Sequence, residues 1–212
     1  MYTIEHIQKS YGKKVILDDI TISVNEGEAV GILGVNGSGK STLLNYIASY
    51  YAKEDPSVVC GYVPQENPLF DELKPLDNLR MWTKLPKDKI LEELASPRLS
   101  LLGITDFLDK PVKKLSGGMK KRLSLASVLI SSPKLLLMDE PFAALDLPAK
   151  QDILHFMRTY LSYGNSLIIA SHEENIFHFC NRVFLLKDGK FVDTAGLAEK
   201  GISYVDILRG TP

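Results

Sequence analysis

Gly34-Val35-Asn36-Gly37-Ser38-Gly39-Lys40-Ser41-Thr42 follows the apolar run Ala29–Leu33 and precedes a stretch in which Leu43, Leu44, Ile47 and Tyr51 recur at helical spacing. The order is strand, glycine-rich loop, helix, with the helix over Lys40–Tyr51. The loop satisfies G-x-x-x-x-G-K-[ST] in full. Glycines let the backbone take positive φ and curl around a phosphate with no Cβ in the way. Successive N–H groups then point at the anion, and the helix beginning near Gly39 adds its positive end. In such a loop the lysine, here Lys40, reaches the terminal phosphates, and the hydroxyl, here Ser41, ligates magnesium. A glycine-rich turn that merely opens a helix is the plainer alternative. The strand before and the helix after are the context a phosphate loop needs, and they point to a magnesium nucleotide, ATP, bound by Gly34–Thr42.

Leu135-Leu136-Leu137-Met138-Asp139-Glu140 is an apolar strand ending in two acids. Acids at the carboxyl end of a parallel strand lie where such sheets bind ligands. Asp139 suits magnesium through water, and Glu140 is placed to polarise an attacking water. Without the loop upstream, the same two acids would read as a solvated strand end.

Working outward, Tyr2–Ile7 reads as a strand, Tyr11–Lys14 as a turn, and Asp19–Val24 as an alternating strand with Ile20, Ile22 and Val24 on one face. Asn25–Glu28 is a turn and Val58–Val63 a short strand. Pro68, Pro75, Pro86, Pro97 and Pro111 punctuate helical stretches at Leu76–Thr83, Lys87–Ala95 and Leu99–Leu108. Residues 66–115 are therefore expected as a small helical subdomain inserted into a core made of 1–65 and 116–212. Beyond it, Lys120–Ile130 is helical, Leu135–Met138 a buried strand, and Asp146 caps a helix to about Leu161 with Pro148 in its first turn. Leu167–Ala170 is another strand, and Val183–Leu186 with Lys190–Asp193 flank a hairpin at Lys187-Asp188-Gly189. Alternating buried strands and helices predict an α/β domain over 1–212 with a mostly parallel sheet.

The 212 residues suit one sizeable domain, 45% hydrophobic and 24% charged, and a net charge of −1 gives no basic excess for nucleic acid. Cys60 and Cys180 lack metal-ligand spacing and read as reduced, buried thiols. Met1–Ser10 lacks the apolar stretch of a signal peptide, and no apolar run approaches the roughly 20 residues of a membrane span.

Leu115-Ser116-Gly117-Gly118-Met119 opens the helix that carries Lys120, Lys121 and Arg122. A Ser-Gly-Gly turn is an ordinary helix cap, and the basic run an ordinary solvated face. As a second anion site, Ser116, Gly117 and Gly118 would be redundant in one chain but not in a two-fold dimer, where each copy offers them to the other's nucleotide.

With these elements in this order, nearly the whole chain resembles the nucleotide-binding subunits of ABC transporters, a P-loop NTPase fold. Leu115–Met119 is similar to their signature motif. The resemblance implies that Tyr11 stacks on adenine and that Gln65 is the Q-loop glutamine that contacts magnesium and senses the membrane partner. It further implies that Ala144-Leu145-Asp146 is the D-loop at a dimer interface, and that His172 bonds the γ-phosphate. It implies integral membrane subunits and a second copy of the chain as partners, and a place at the cytoplasmic face of the membrane. Only Ser41–Pro64 separates the phosphate loop from Gln65, shorter than in most of the family, so the N-terminal antiparallel β-subdomain is expected to be trimmed. Ser116–Arg122 and that trimming lean towards exporters. A relative acting outside transport, in translation, repair or cluster assembly, is the alternative reading, as is a module that senses ATP without hydrolysis. The Glu66–Asn78 stretch, with Leu69 and Phe70, is the expected docking surface for the membrane subunits.

Overall fold

The structure is a computed structural model and describes residues 1–173 and 178–192. Ten-residue β1 (Tyr2–Tyr11) and eleven-residue β2 (Lys14–Val24) pair antiparallel as a separate two-stranded sheet. Ile20, Ile22 and Val24 share its buried face, as their alternation predicts.

The main sheet has six strands in the order β4-β5-β6-β3-β7-β8. These are β3 (Ala29–Leu33), β4 (Cys60–Val63), β5 (Leu135–Asp139), β6 (Ser166–Ser171), β7 (Arg182–Lys187) and β8 (Lys190–Val192). All neighbours are parallel except the β7–β8 hairpin at the edge. Asp193, expected in the last strand, lies outside the described residues. Strand neighbours β3, β5 and β6 are buried on both faces, which is why they read as continuous apolar runs. Leu136, Met138, Leu167 and Ile169 face a core built with the helices that follow residue 66. Leu135, Leu137, Ile168 and Ala170 face a second core shared with the β1–β2 hairpin and α1 (Lys40–Lys53). Leu43, Leu44, Ile47 and Tyr51 are the buried face of α1.

Between β4 and β5 stand α2 (Pro75–Thr83), α3 (Lys87–Leu94) and the single turn α4 (Pro97–Ser100). A continuous helix over Leu99–Leu108 is not found. Gly103 takes a left-handed φ of 57° and breaks it into α4 and a 3₁₀ turn, Ile104–Phe107. Helix α5 (Gly117–Leu129) begins three residues before the apolar periodicity does, because the Met119 N–H donates to Ser116 Oγ and caps it there. Helix α6 (Leu147–Ser162) is capped by Asp146, whose Oδ1 accepts from the Ala149 N–H at 2.9 Å.

Leu137 is fully buried in the middle of β5. Replacing it with alanine should cost about 2–5 kcal/mol of stability. Urea unfolding should show a lowered midpoint with an unchanged slope.

Candidate nucleotide site

Central strand β6 fixes the mouth of the site from between its two halves. The Gly34 N–H donates to Ser171 O at 3.3 Å, and the Glu140 N–H donates to Ala170 O at 2.9 Å. The last two residues of one strand thus hold both the start of the phosphate loop and the end of the acidic strand. Close packing dictates two of the glycines. A Cβ on Gly34 would lie 2.5 Å from Ser38 Oγ and 2.8 Å from Leu186 O, and Gly39 has a φ of +107°, where a Cβ would lie 3.2 Å from Ile16 O of the hairpin.

Lys40 is buried at 6% exposure. Its ammonium donates to Gly34 O at 2.8 Å and Val35 O at 3.3 Å, and lies 3.3 Å from Glu140 Oε1. Glu140 is 4% exposed with a left-handed φ of 44°. Its Oε1 is 2.9 Å from His172 Nδ1, and its Oε2 accepts from Ser171 Oγ at 3.2 Å and from the His172 N–H at 3.4 Å. Three residues far apart in sequence are thereby joined: Lys40 after β3, Glu140 after β5 and His172 after β6.

A cavity of about 340 Å³ opens beside this cluster. Asn36, Gly37, Gly39, Lys40, Ser41 and Thr42 line one side, and Gln65, Asp139 and Glu140 the other, with Ile16 at the rim. Thr42 also borders a second cavity of about 380 Å³ that reaches Tyr11, Tyr46 and Lys53. Tyr11 stands at the hairpin tip, 62% exposed, with Lys9 Nζ 5.5 Å from its ring centre. The expected phosphate and base residues are thus contiguous. Val35 and Ser38 are on the loop but do not line the cavity; Ser38 Oγ is turned inward without a hydrogen-bond partner.

The metal expectation can be tested on donor chemistry. Ser41, Gln65 and Asp139 meet at the cavity wall, and Asp139 Oδ1 is buried with no hydrogen-bond partner. An orphaned buried carboxylate oxygen beside a hydroxyl and an amide suits a hard cation. Among the described residues no three acidic, histidine or cysteine side chains cluster as an all-protein metal cage. Magnesium does not need one, because one or two carboxylates, waters and substrate phosphates suffice.

Ser116, Gly117 and Gly118 are not part of either cavity. Ser116 and Gly117 are exposed, and Gly117 lies against Ala144 O, so the Ser-Gly-Gly turn and Ala144–Asp146 form one surface.

A profile of the ABC transporter family matches residues 17–143. The chain belongs to that family. The ABC cassette is an ATPase, so this chain is an ATP-binding subunit of an ABC transporter. It is 30% identical to the lantibiotic transport ATP-binding protein SrtF of Streptococcus pyogenes, over 91% of this chain and 89% of that one. It is 31% identical to the Nod factor export ATP-binding protein I of Sinorhizobium fredii, over 98% of this chain and 67% of that one. Relatives named for import match as well. Among solved structures, cbiO1 of Clostridium perfringens, part of the ABC transporter complex cbiONQ, superposes with a TM-score of 0.78 at 28% identity, covering 93% of this chain and 90% of that one. The ABC cassette's antiparallel portion is here a bare hairpin, as the short Ser41–Pro64 interval predicts.

Three features of this cassette escape sequence reading. Tyr62 donates its hydroxyl to Asp139 Oδ2 at 3.3 Å, and burial with that carboxylate pushes its phenol up to about 12. Ser171 holds Glu140. Lys121, read with Lys120 and Arg122 as a solvated face, is only 2% exposed. A signal for it existed: Lys121 shares a helix face with Leu125 and Leu129 at i+4 and i+8. Cys60 and Cys180 are free thiols, half-buried rather than fully buried as expected, and their burial pushes each up to about 12.

Lys40→Ala removes the ammonium that contacts Glu140 and the loop carbonyls. The loss of a charge-assisted phosphate contact should weaken nucleotide binding roughly 10- to 100-fold. Titration with a fluorescent ATP analogue checks this, and unchanged affinity would overturn the assignment of the loop.

Proposed function

We propose that this chain hydrolyses ATP at two composite sites formed by a head-to-tail pair of copies, and that it thereby drives export through separate membrane-spanning subunits. The observation that carries the hydrolytic part is the buried Lys40–Glu140 pair, met by the half-exposed His172 ring, beside the cavity lined by the glycine-rich loop.

Each side chain has a role its surroundings support. The loop N–H groups and Lys40 bind the β- and γ-phosphates, Lys40 exchanging its carbonyl partners for phosphate oxygens. Tyr11 stacks on the base, and the second cavity leaves room for base and ribose between the hairpin tip and α1. Ser41, Gln65 and Asp139 hold the magnesium ion, whose charge neutralises the phosphates. Glu140 orients the attacking water and takes its proton. Ser171 and His172 fix that carboxylate, and the remaining ring nitrogen of His172 bonds the γ-phosphate. Retention of Glu140 and His172 in contact favours hydrolysis over passive sensing of ATP.

The dimer reading rests on a mismatch of position. Ser116–Gly118 opens a helix, where N–H groups favour anions, yet Ser116 and Gly117 are exposed and none of the three lines the cavities beside the glycine-rich loop. A second copy brings its nucleotide there, with Ala144–Asp146 alongside. The whole chain, 1–212, acts as one cassette. Among the described residues no helix is long and apolar enough to cross a membrane, so membrane subunits supply the pathway, with the cassette held at the cytoplasmic face. Phe70, 45% exposed, stacks on Trp82, 48% exposed, with the more exposed Met81 beside it in sequence. This apolar surface on the helical insert extends the Glu66–Asn78 stretch as the docking face. Export is favoured by the Ser116–Arg122 sequence and the reduced hairpin.

Glu140→Gln tests the reading. It keeps the shape of the side chain but removes the base, so steady-state phosphate release should fall roughly 10²–10⁴-fold. ATP binding should persist and a dimer should accumulate on size exclusion. Normal turnover in this variant would remove Glu140 from its role.

A further inference from the structure

Lys121 is the largest fully buried side chain in the described structure and carries a cation. Its ammonium donates to Pro64 O at 3.1 Å and to Gln65 O at 3.3 Å. Burial pulls the lysine down to about 8, while the Asp139 and Glu140 carboxylates oppose that fall. Strand β4 ends at Val63, opposite Met138 of β5, so the two carbonyls sit beside the point where Asp139 and Glu140 emerge.

A lysine is costly to bury, and packing alone is served better by methionine or leucine. What an ammonium does here, and an apolar chain cannot, is hold two backbone carbonyls of an irregular segment. Pro64 and Gln65 follow a four-residue strand, and the Gln65 side chain is exposed. Their carbonyls are the handles by which the chain fixes the direction in which Gln65 leaves the sheet.

The other end of this lever is equally specific. Lys121 lies one turn, about 6 Å along the axis, beyond Gly117. Gly117 and Gly118 are seated against Ala144 O and the Ala149 side chain, so the first turn of α5 is held in place at the exposed surface. The same turn carries Ser116–Gly118 outward and Lys121 inward.

We propose that Lys121 is a positioning residue that ties Gln65 to the signature helix, so that engagement of Ser116–Gly118 by a second copy sets the magnesium subsite of the chain's own nucleotide. This rests on the reading of Ser116–Gly118 and Gln65 given above. Lys121 touches neither nucleotide nor metal; it acts through the Pro64 and Gln65 backbone.

The test compares Lys121→Met, a similar unbranched chain that loses every donor, with Lys121→Gln, which keeps a neutral amide donor at slightly shorter reach. Both are made in the full chain, alone and with Glu140→Gln. Mg²⁺ is raised at saturating ATP, and dimer formation by the Glu140→Gln chains is followed by light scattering. The Mg²⁺ concentration giving half-dimerisation should rise about tenfold with Lys121→Met and about threefold with Lys121→Gln, for bonds of this charge-assisted kind. ATP affinity without metal should stay within about twofold. In the parent background kcat should fall in the same order. Half-dimerisation at the unaltered Mg²⁺ concentration overturns the proposal, and so does a loss of dimer that only tracks the folded fraction seen by thermal melting. If Lys121→Met does not fold, Lys121→Gln decides alone: a threefold rise supports the tie, and an unaltered midpoint ends it. Turnover that persists in Glu140→Gln would instead sink the hydrolytic reading, leaving the metal-dependent midpoint to judge Lys121.

Discussion

Lys40 and Glu140 meet in a space from which water is almost excluded, with the half-exposed His172 ring at its edge, and the two buried charges are tenable there only together. A lysine and a glutamate at 6% and 4% exposure would each pay several kcal/mol of desolvation alone. At 3.3 Å they compensate one another, and two loop carbonyls complete the lysine. Such a pair adds little net stability. What it imposes is geometry, since removal of one member strands the other. The rest of the structure serves that meeting. Placing β6 between β3 and β5 lets the Ser171 and Ala170 carbonyls anchor both arms of the cluster.

The hairpin is the second constraint. A two-stranded sheet is marginal by itself. Here Ile4, Ile7, Leu17, Ile20 and Ile22 pack on Leu43, Leu44 and Ile47 of α1, and the Asp18 N–H donates to Gly189 O at 2.8 Å. The reduced antiparallel portion is therefore held by the same helix that carries Lys40, Ser41 and Thr42. Its tip bears Tyr11, and its β2 backbone abuts Gly39. A shift of the hairpin against α1 would move Tyr11 and the glycine-rich loop together.

Much of this was legible beforehand, for identifiable reasons. The motif at Gly34–Thr42 has a spacing that one chemistry explains, and β5 and β6 are apolar runs of strand length. The helix break at Gly103 was not legible, because Leu99 and Leu102, and again Ile104 and Phe107, are buried three residues apart, as in a helix. Nor was the strand order, which arises from long-range pairing that no local pattern encodes. Lys121 was hidden by its neighbours. Lys120 reaches Asp71 at 2.8 Å and Arg122 lies over Phe107, so two members of a basic triplet do decorate the outside of the helix while the middle one turns inward. Composition cannot separate three adjacent cations; only the 100° rotation per residue does.

That rotation gives α5 two duties on one rigid element. Its N-terminal turn presents the exposed Ser116 and Gly117, and its second turn carries the buried donor that holds Pro64 and Gln65. A helix transmits displacement between those turns because its backbone bonds do not stretch appreciably over about 6 Å. A loop in the same place would dissipate it. In the proposed coupling, one rigid helix thus joins the exposed Ser116–Gly117 turn to the Pro64–Gln65 segment. The cost of burying Lys121 is offset by the two backbone carbonyls its ammonium holds, a task that an apolar side chain of similar volume cannot perform.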